Sequence, residues 1–139
     1  MVAKARVLFL CTGNSCRSQM AEGFLRHLAG DRFEVVSAGI EPTPVNEKAI
    51  EAMAEVGIDI STHTSKAVRS FLGQRFSHVI TVCDRASERC PIFPFALQRL
   101  EWPFPDPAAV DGSDDVRTAA FRVVRDRIRD RMEAFLGQD

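Results

Sequence analysis

The chain has 139 residues, of which 45% are hydrophobic and 27% charged, and its formal net charge at pH 7 is −1. These values suit one globular domain spanning residues 1–139. A charge so close to zero argues against nucleic acid or an anionic membrane as the main partner. The apolar run near the N-terminus is too short for a signal peptide, and no run is long enough to cross a bilayer, so we expect a cytoplasmic protein.

Apolar patterns of alternating period predict strands and helices in turn along the chain. Strands are predicted at residues 6–10, 33–38, 78–83 and 97–102, and helices at residues 18–29, 46–57 and 114–135. A polar loop with one short helix is predicted at residues 61–72, and an irregular, mobile segment at residues 84–94. Strands that alternate with helices predict an α/β fold, namely a doubly wound, four-stranded parallel sheet flanked by helices. Such sheets bind ligands at the carboxyl ends of their strands.

Helical spacing also predicts which side chains face the core. In the first helix these are Met20, Ala21, Phe24, Leu25 and Leu28, and in the last helix Val116, Ala120, Val124, Ile128 and Phe135. The last helix carries six arginines interleaved with acidic residues. This mixture indicates a solvated face rather than a surface that binds nucleic acid.

The loop between the first strand and the first helix carries the strongest chemical signal. It comprises Cys11, Thr12, Gly13, Asn14, Ser15, Cys16, Arg17 and Ser18. A strand, a tight loop and a helix N-terminus form an anion site, because backbone N–H groups point inward and the helix dipole adds positive potential. Arg17 adds a planar fork that suits a tetrahedral oxyanion. The same field favours the thiolate form of Cys11, which is the attacking nucleophile.

Two details of this loop leave alternatives. Gly13 suits a position with positive φ, and Asn14 is among the few other residues that tolerate one. Ser18 either donates its hydroxyl to Cys11 or caps the helix. The non-functional alternative for this loop is that Cys11 is a buried structural cysteine and Arg17 an ordinary surface arginine. The position between an apolar strand and a helix disfavours it.

Parallel strands would bring Cys11, Cys83 and the loop of Asp106 to one edge of the sheet. Asp106 lies between two prolines, and it is either an ordinary turn residue or a general acid that protonates a departing oxygen. Cys83 and Cys90 admit three interpretations from the residues alone. Cys83 is a small buried residue, the pair binds a metal, or the two thiols attack in succession after an adduct forms on Cys11.

The stretch from Cys11 to Glu22 resembles the active-site loop of the low-molecular-weight tyrosine phosphatase superfamily and, more narrowly, of its thioredoxin-coupled arsenate reductases. The likeness covers nearly the whole chain. It implies reduction of arsenate to arsenite by a disulfide relay through Cys11, Cys83 and Cys90, with Asp106 as general acid. It also implies thioredoxin as external reductant and no bound cofactor. Phosphate or sulfate should compete as oxyanions for the loop, and we expect a monomer because nothing in the sequence marks an interface. Cys16 would be dispensable for turnover, though open to oxidation.

One position departs from the pattern of this family. Some members bind a potassium ion through residues matching Asn14, Glu22, Ser37 and an aspartate, but Lys66 stands at the position of the aspartate. An ammonium there would compete with a cation, so we expect potassium dependence to be weakened or absent. Two other functions stay open: a low-molecular-weight phosphatase whose extra cysteines protect Cys11, and a non-catalytic oxyanion-binding regulatory module.

Overall fold

A computed structural model describes residues 4–84, 93 and 96–137. The strands are β1 (Ala5–Cys11), β2 (Phe33–Gly39), β3 (Phe76–Thr81) and β4 (Ala96–Glu101), and the α-helices are α1 (Arg17–Ala29), α2 (Glu47–Ala54) and α3 (Asp114–Leu136). Two short 3-10 helices lie at Val68–Phe71 and Pro107–Ala109. The predicted strands and helices are confirmed to within two residues at each end, except that the second helix ends at Ala54, three residues before its predicted end. Cys90 and almost all of the segment predicted to be irregular lie outside the described residues.

The four strands form one parallel sheet in the order β2-β1-β3-β4. The chain leaves β1 for β2 on one side, and β3 then pairs with β1 on the other side. A crevice opens where the strand order reverses in this way, at the carboxyl ends of the two central strands. The predicted four-stranded parallel α/β fold is confirmed, and it places the ends of β1 and β3 side by side.

Strand β1 is apolar throughout its centre because both of its faces are buried. Val7 and Phe9 belong to the core cluster that contains the packed faces of α1, α2 and α3. Leu8 and Leu10 point to the opposite face of the sheet, into a cluster that includes Phe93 and residues of the 3-10 helix Val68–Phe71. Full burial of each such side chain stabilises the fold by about 1.5–3 kcal/mol. The strand that carries Cys11 at its end is therefore held firmly.

Two side chains predicted to face the core are instead exposed. Leu28 of α1 is 45% exposed and Val116 of α3 is 49% exposed. The buried face of α3 consists of Phe121, Val124, Arg125, Ile128, Met132 and Phe135. Val116 precedes Phe121 by five positions, which places it about 140° around the helix from that face. In α1, Ala29 rather than Leu28 follows Leu25 at the four-residue spacing, and Ala29 is buried.

One arginine of α3 departs from the predicted solvated face. Arg125 is buried, and its Nη1 donates to the Ala52 carbonyl at 2.9 Å and to Glu55 Oε1 at 2.7 Å. It thereby binds backbone at the carboxyl end of α2, where helix carbonyls lack intrahelical partners. Within the described residues, no helix combines the length and apolar character needed to cross a membrane.

Candidate active site

Hydrogen bonds from outside the loop fix the direction of its peptide groups. The carbonyl oxygens of residues 12–15 all accept such bonds, at 2.9–3.0 Å. The Thr12 carbonyl accepts from the Glu41 N–H, and the Gly13 carbonyl accepts from the Thr43 N–H. The Asn14 carbonyl accepts from Gln19 Nε2 and Ser65 Oγ, and the Ser15 carbonyl accepts from the Asn46 N–H. Because a trans peptide directs its C=O and N–H to opposite sides, the N–H groups of residues 13–16 face the interior of the loop. A concave set of backbone donors of this kind binds anions.

Cys11 ends β1 and points its sulfur into this set of donors. The Asn14 N–H donates to Cys11 Sγ at 3.2 Å, and Ser18 Oγ lies 2.8 Å from the same sulfur. Asn14 Nδ2 donates to Ser18 Oγ at 2.8 Å, so the Ser18 hydroxyl is oriented to give its own proton to the sulfur. Two hydrogen bonds are therefore directed at the Cys11 sulfur, and they fix its position inside the loop.

Of the two alternatives for Ser18, the hydrogen bond to Cys11 is the one observed. The expectation that it caps α1 is wrong, because the helix begins at Arg17 and Cys16 occupies the N-cap position. The positive φ in the loop falls on Asn14, at 50°, and not on Gly13. Gly39, at the end of β2, lies against the loop so closely that a Cβ there would come within 2.7 Å of backbone atoms of Asn14 and Thr12.

Arg17 and Asp106 face one another across the mouth of the loop. The Arg17 side chain is buried, its Nη1 donates to the Phe104 carbonyl at 3.1 Å, and its Nη2 lies 3.9 Å from Asp106 Oδ2. Asp106 Oδ1 accepts from the Ala108 N–H at 2.9 Å, so this carboxylate also caps the 3-10 helix Pro107–Ala109. Asp106 therefore has the predicted turn role and also lies beside the oxyanion loop, where a general acid would have to stand.

Cys16 is a buried thiol between the two loops. Its Sγ lies 3.7 Å from Asp106 Oδ1. Burial first, and then the negative charge of Asp106, raise the pKa of Cys16 to about 12. Cys16 is therefore a neutral thiol at physiological pH.

Cys83 emerges beside Cys11, as the predicted topology requires. The Val82 N–H donates to the Leu10 carbonyl at 2.8 Å, which extends the pairing of β3 with β1 to the residue before Cys83. Both cysteines are buried, and they belong to one cluster. Cys83 is disulfide-bonded, whereas Cys11 and Cys16 are free thiols. The predicted partner of Cys83, Cys90, lies outside the described residues. The structure thus brings Cys11, Arg17, Cys83 and Asp106 to one edge.

The side chains of Gln19 and His63 form a hydrogen-bonded pair beside the loop, which the sequence did not reveal. Gln19, which also donates to the Thr64 carbonyl, accepts from His63 Nδ1 at 3.0 Å. Arg26 Nη1 donates to His63 Nε2 at 3.2 Å, so the ring is neutral with its proton on Nδ1. Burial lowers the pKa of His63, which Glu22 opposes, and this agrees with a neutral ring. A glutamine on the buried face of α1 is the only hint of this pair that the sequence offers.

The oxygens that the resemblance assigns to a potassium ion are already engaged in hydrogen bonds. Asn14 Oδ1 accepts from the Lys66 N–H at 2.8 Å. Ser37 Oγ accepts from Asn14 Nδ2 at 2.9 Å and donates to Glu22 Oε1 at 2.5 Å. Glu22 Oε2 binds Arg26 at 2.7 Å, and the Lys66 ammonium lies 3.9 Å from Glu22 Oε1. These residues do not fit a potassium site, since an ammonium already stands beside their carboxylate.

Comparison with known proteins agrees with this geometry. The low molecular weight phosphotyrosine protein phosphatase family matches residues 6–138. An arsenate reductase of Halalkalibacterium halodurans is 48% identical over 132 residues, which are 95% of each chain. A solved arsenate reductase in its phosphate-binding state has a TM-score of 0.78 and 34% identity, over 96% of this chain and 98% of that one.

A thioredoxin-dependent arsenate reductase of Corynebacterium glutamicum is a more distant relative. It has a TM-score of 0.64 and 27% identity, over 98% of this chain and 64% of that longer one. The match of the family over nearly the full length, and the level of identity to curated relatives, settle the family. The chain belongs to the low molecular weight phosphotyrosine protein phosphatase family and, within it, to the branch of the arsenate reductases.

Proposed function

We propose that this protein reduces arsenate to arsenite with thioredoxin as its external reductant. The observation that carries the proposal is the position of Cys83, a second cysteine just past the end of β3, beside the nucleophile that ends β1. A hydrolytic phosphatase needs the oxyanion loop, but it has no use for that second thiol. The relatives named as arsenate reductases, one of them thioredoxin-dependent, support the same reaction.

The first step forms a bond between sulfur and arsenic. The Cys11 thiolate attacks As(V) of an arsenate bound by the loop N–H groups and the Arg17 guanidinium. One As–O bond breaks, and that oxygen leaves as water with a proton that the Asp106 carboxylate takes up from solvent and passes to it. Arsenic is still As(V) at this stage, because the step exchanges an oxygen ligand for a sulfur ligand.

The second step reduces arsenic. Cys83 attacks Cys11 Sγ, an S–S bond forms, and the electron pair of the As–S bond stays on arsenic, which leaves as arsenite, As(III). Cys90 then attacks Cys83 Sγ and releases Cys11 as a thiolate. A thioredoxin dithiol finally reduces the Cys83–Cys90 disulfide and supplies the two electrons that arsenic received. The disulfide at Cys83, with Cys11 a free thiol, supports this second half of the relay.

Steady-state NADPH oxidation with thioredoxin, thioredoxin reductase and arsenate tests this proposal. We expect oxidation by the wild type, and none beyond a single turnover in Cys83→Ser or Cys90→Ser. Cys16→Ser is the matched control, since it also removes a cysteine but should continue to turn over. If the wild type oxidises no NADPH yet hydrolyses an aryl phosphate briskly, the protein is a phosphatase and the relay is wrong.

Several further features belong to this proposal. Phosphate and sulfate should compete with arsenate for the loop, since both are tetrahedral oxyanions, and a solved relative is described in a phosphate-binding state. Weak phosphatase activity should accompany reduction, because Cys11, Arg17 and Asp106 serve both reactions. We propose a monomer in the cytoplasm, with no bound cofactor. A non-catalytic binding module is disfavoured, because binding an oxyanion requires no thiol.

A further inference from the structure

Glu22 is a buried carboxylate at the end of a line of hydrogen bonds that leads to the nucleophile. Its Oε1 accepts the Ser37 hydroxyl proton at 2.5 Å, so Ser37 Oγ is left to accept from Asn14 Nδ2 at 2.9 Å. Asn14 Nδ2 also donates to Ser18 Oγ, which in turn contacts Cys11 Sγ. The charges placed around Glu22 therefore influence the geometry of the loop that holds Cys11.

A carboxylate buried in this way is costly unless cations balance it. Glu22 has a relative exposure of 4%, and its Oε2 is bound by Arg26 at 2.7 Å. The Lys66 ammonium lies 3.9 Å from Oε1, on the side of the carboxylate that faces Ser37. His63, whose Nδ1 lies 3.7 Å from Oε2, is neutral and contributes no full charge.

Lys66 is held at this place by its backbone as well as by its side chain. Its N–H donates to Asn14 Oδ1 at 2.8 Å, and its carbonyl accepts from the Gly39 N–H at 2.9 Å. Its ammonium donates to the Thr64 carbonyl at 2.6 Å. Lys66 therefore contacts the loop, the end of β2 and the Glu22 carboxylate. These contacts keep its ammonium close to that carboxylate.

We propose that the Lys66 ammonium is the built-in cation of this cluster, so that the oxyanion loop is organised without a monovalent metal ion. Lys66 is a positioning residue, which acts on the loop through Glu22, Ser37 and Asn14. Replacing the ammonium with a carboxylate would place two acidic groups beside the Asn14 and Ser37 oxygens, and the cluster would then require a cation. The inference does not depend on which oxyanion the loop processes.

Thermal unfolding of the reduced protein in potassium chloride and in choline chloride, at equal ionic strength, tests this inference without any turnover. We expect the same Tm in both salts for the wild type. Lys66→Met should lower Tm in both salts by about 2–5 °C. Lys66→Asp should be less stable in choline and should gain about 3–6 °C in potassium. Lys48→Met is the matched control, because Lys48 pairs with Asp114 away from the loop, and it should show no response to potassium.

The rate at which iodoacetamide alkylates Cys11 gives a second readout, which reports on the loop itself. It should be the same in both salts for the wild type and should rise with potassium in Lys66→Asp. A wild-type Tm that rises with potassium would overturn the proposal, as would a folded Lys66→Asp variant that ignores potassium. If Lys66→Asp does not fold, a Lys66→Met variant with the Tm of the wild type is the overturning result.

Discussion

Removing the Ser18 hydroxyl tests whether hydrogen bonds, rather than burial alone, prepare Cys11 as a nucleophile. In Ser18→Ala the sulfur keeps the Asn14 N–H at 3.2 Å but loses the hydroxyl at 2.8 Å. The Ser18 side chain itself has no exposed surface, so water does not readily replace the lost donor. Asn14 Nδ2 also loses one of its two acceptors and keeps Ser37 Oγ.

The size of the effect follows from these two losses. A hydrogen bond to a charged group contributes about 1.5–3 kcal/mol. Since about 1.4 kcal/mol corresponds to a factor of ten, the rate of alkylation of Cys11 near neutral pH should fall about tenfold to a hundredfold. Separately, a buried N–H left without its acceptor costs about 1–3 kcal/mol of folding stability. For a chain of this size, that lowers Tm by about 3–10 °C.

The assay is the rate of iodoacetamide modification of the reduced protein, with Cys11 identified by mass spectrometry and Tm measured in parallel. Ser15→Ala is the matched control, because Ser15 lies in the same loop but its hydroxyl contacts Cys16, at 3.9 Å, rather than Cys11. If Ser18→Ala and Ser15→Ala react at the same rate, the Ser18 hydroxyl does not prepare the nucleophile and the reasoning is refuted.

Three further predictions concern Cys16, the ion pairs of Glu55 with α3, and Gly39. With a pKa raised to about 12, Cys16 should stay unmodified by iodoacetamide at mildly alkaline pH while the nucleophile reacts; equal rates by mass spectrometry would contradict this. Arg122 and Arg125 lower the pKa of Glu55 from 4.5 to about 2. The ion pairs of Glu55 with these arginines therefore stabilise the fold fully above the unperturbed pKa, and this stabilisation is lost as the pH falls from 4.5 toward 2. The Tm of Glu55→Gln should therefore fall less steeply over that interval than that of the wild type, and parallel curves would refute the assignment. Gly39→Ala should lose about 1–3 kcal/mol of stability and slow alkylation of the nucleophile, since a Cβ would meet loop backbone at 2.7 Å; an unchanged urea midpoint would argue against that close approach.

The sequence was informative wherever a local pattern and the sheet topology agree. Strand β1 was predicted because burial of both faces requires a continuous apolar run. The second helix begins where an asparagine, a residue favoured at helix N-caps, precedes it: the Asn46 side chain accepts from the Lys48 N–H at 2.8 Å. The meeting of Cys11 and Cys83 followed from parallel strands alone, because the carboxyl ends of adjacent parallel strands share an edge.

The features that sequence reasoning missed depend on how separate elements are placed against one another. Arg125 was predicted to be solvated like the other arginines of α3. It is buried because the last carbonyls of α2 face α3 and one of them accepts its hydrogen bond. Nothing near His63 in the sequence marks it, since its partners Gln19 and Arg26 come from α1. Ser18 is a good capping residue by type, but the tight turn of the loop starts the helix one residue before it.

The pairing of β3 with β1 explains how a loop made for phosphate chemistry can serve a reductase. Both reactions begin with a thiolate that attacks a tetrahedral oxyanion, and both need the same inward N–H groups, the same guanidinium and the same acid. They diverge at the adduct, because phosphorus(V) bound to sulfur is released only by water, whereas arsenic(V) can keep the electron pair of its bond to sulfur. In the proposed relay, a second thiol beside the first reduces the adduct, and Cys90 and thioredoxin then restore both thiols. Strand β3 pairs with β1 in the parallel sheet, and Cys83 lies two residues past the end of β3, at the edge where Cys11 ends β1. In the proposed relay, this is the position from which the second thiol attacks.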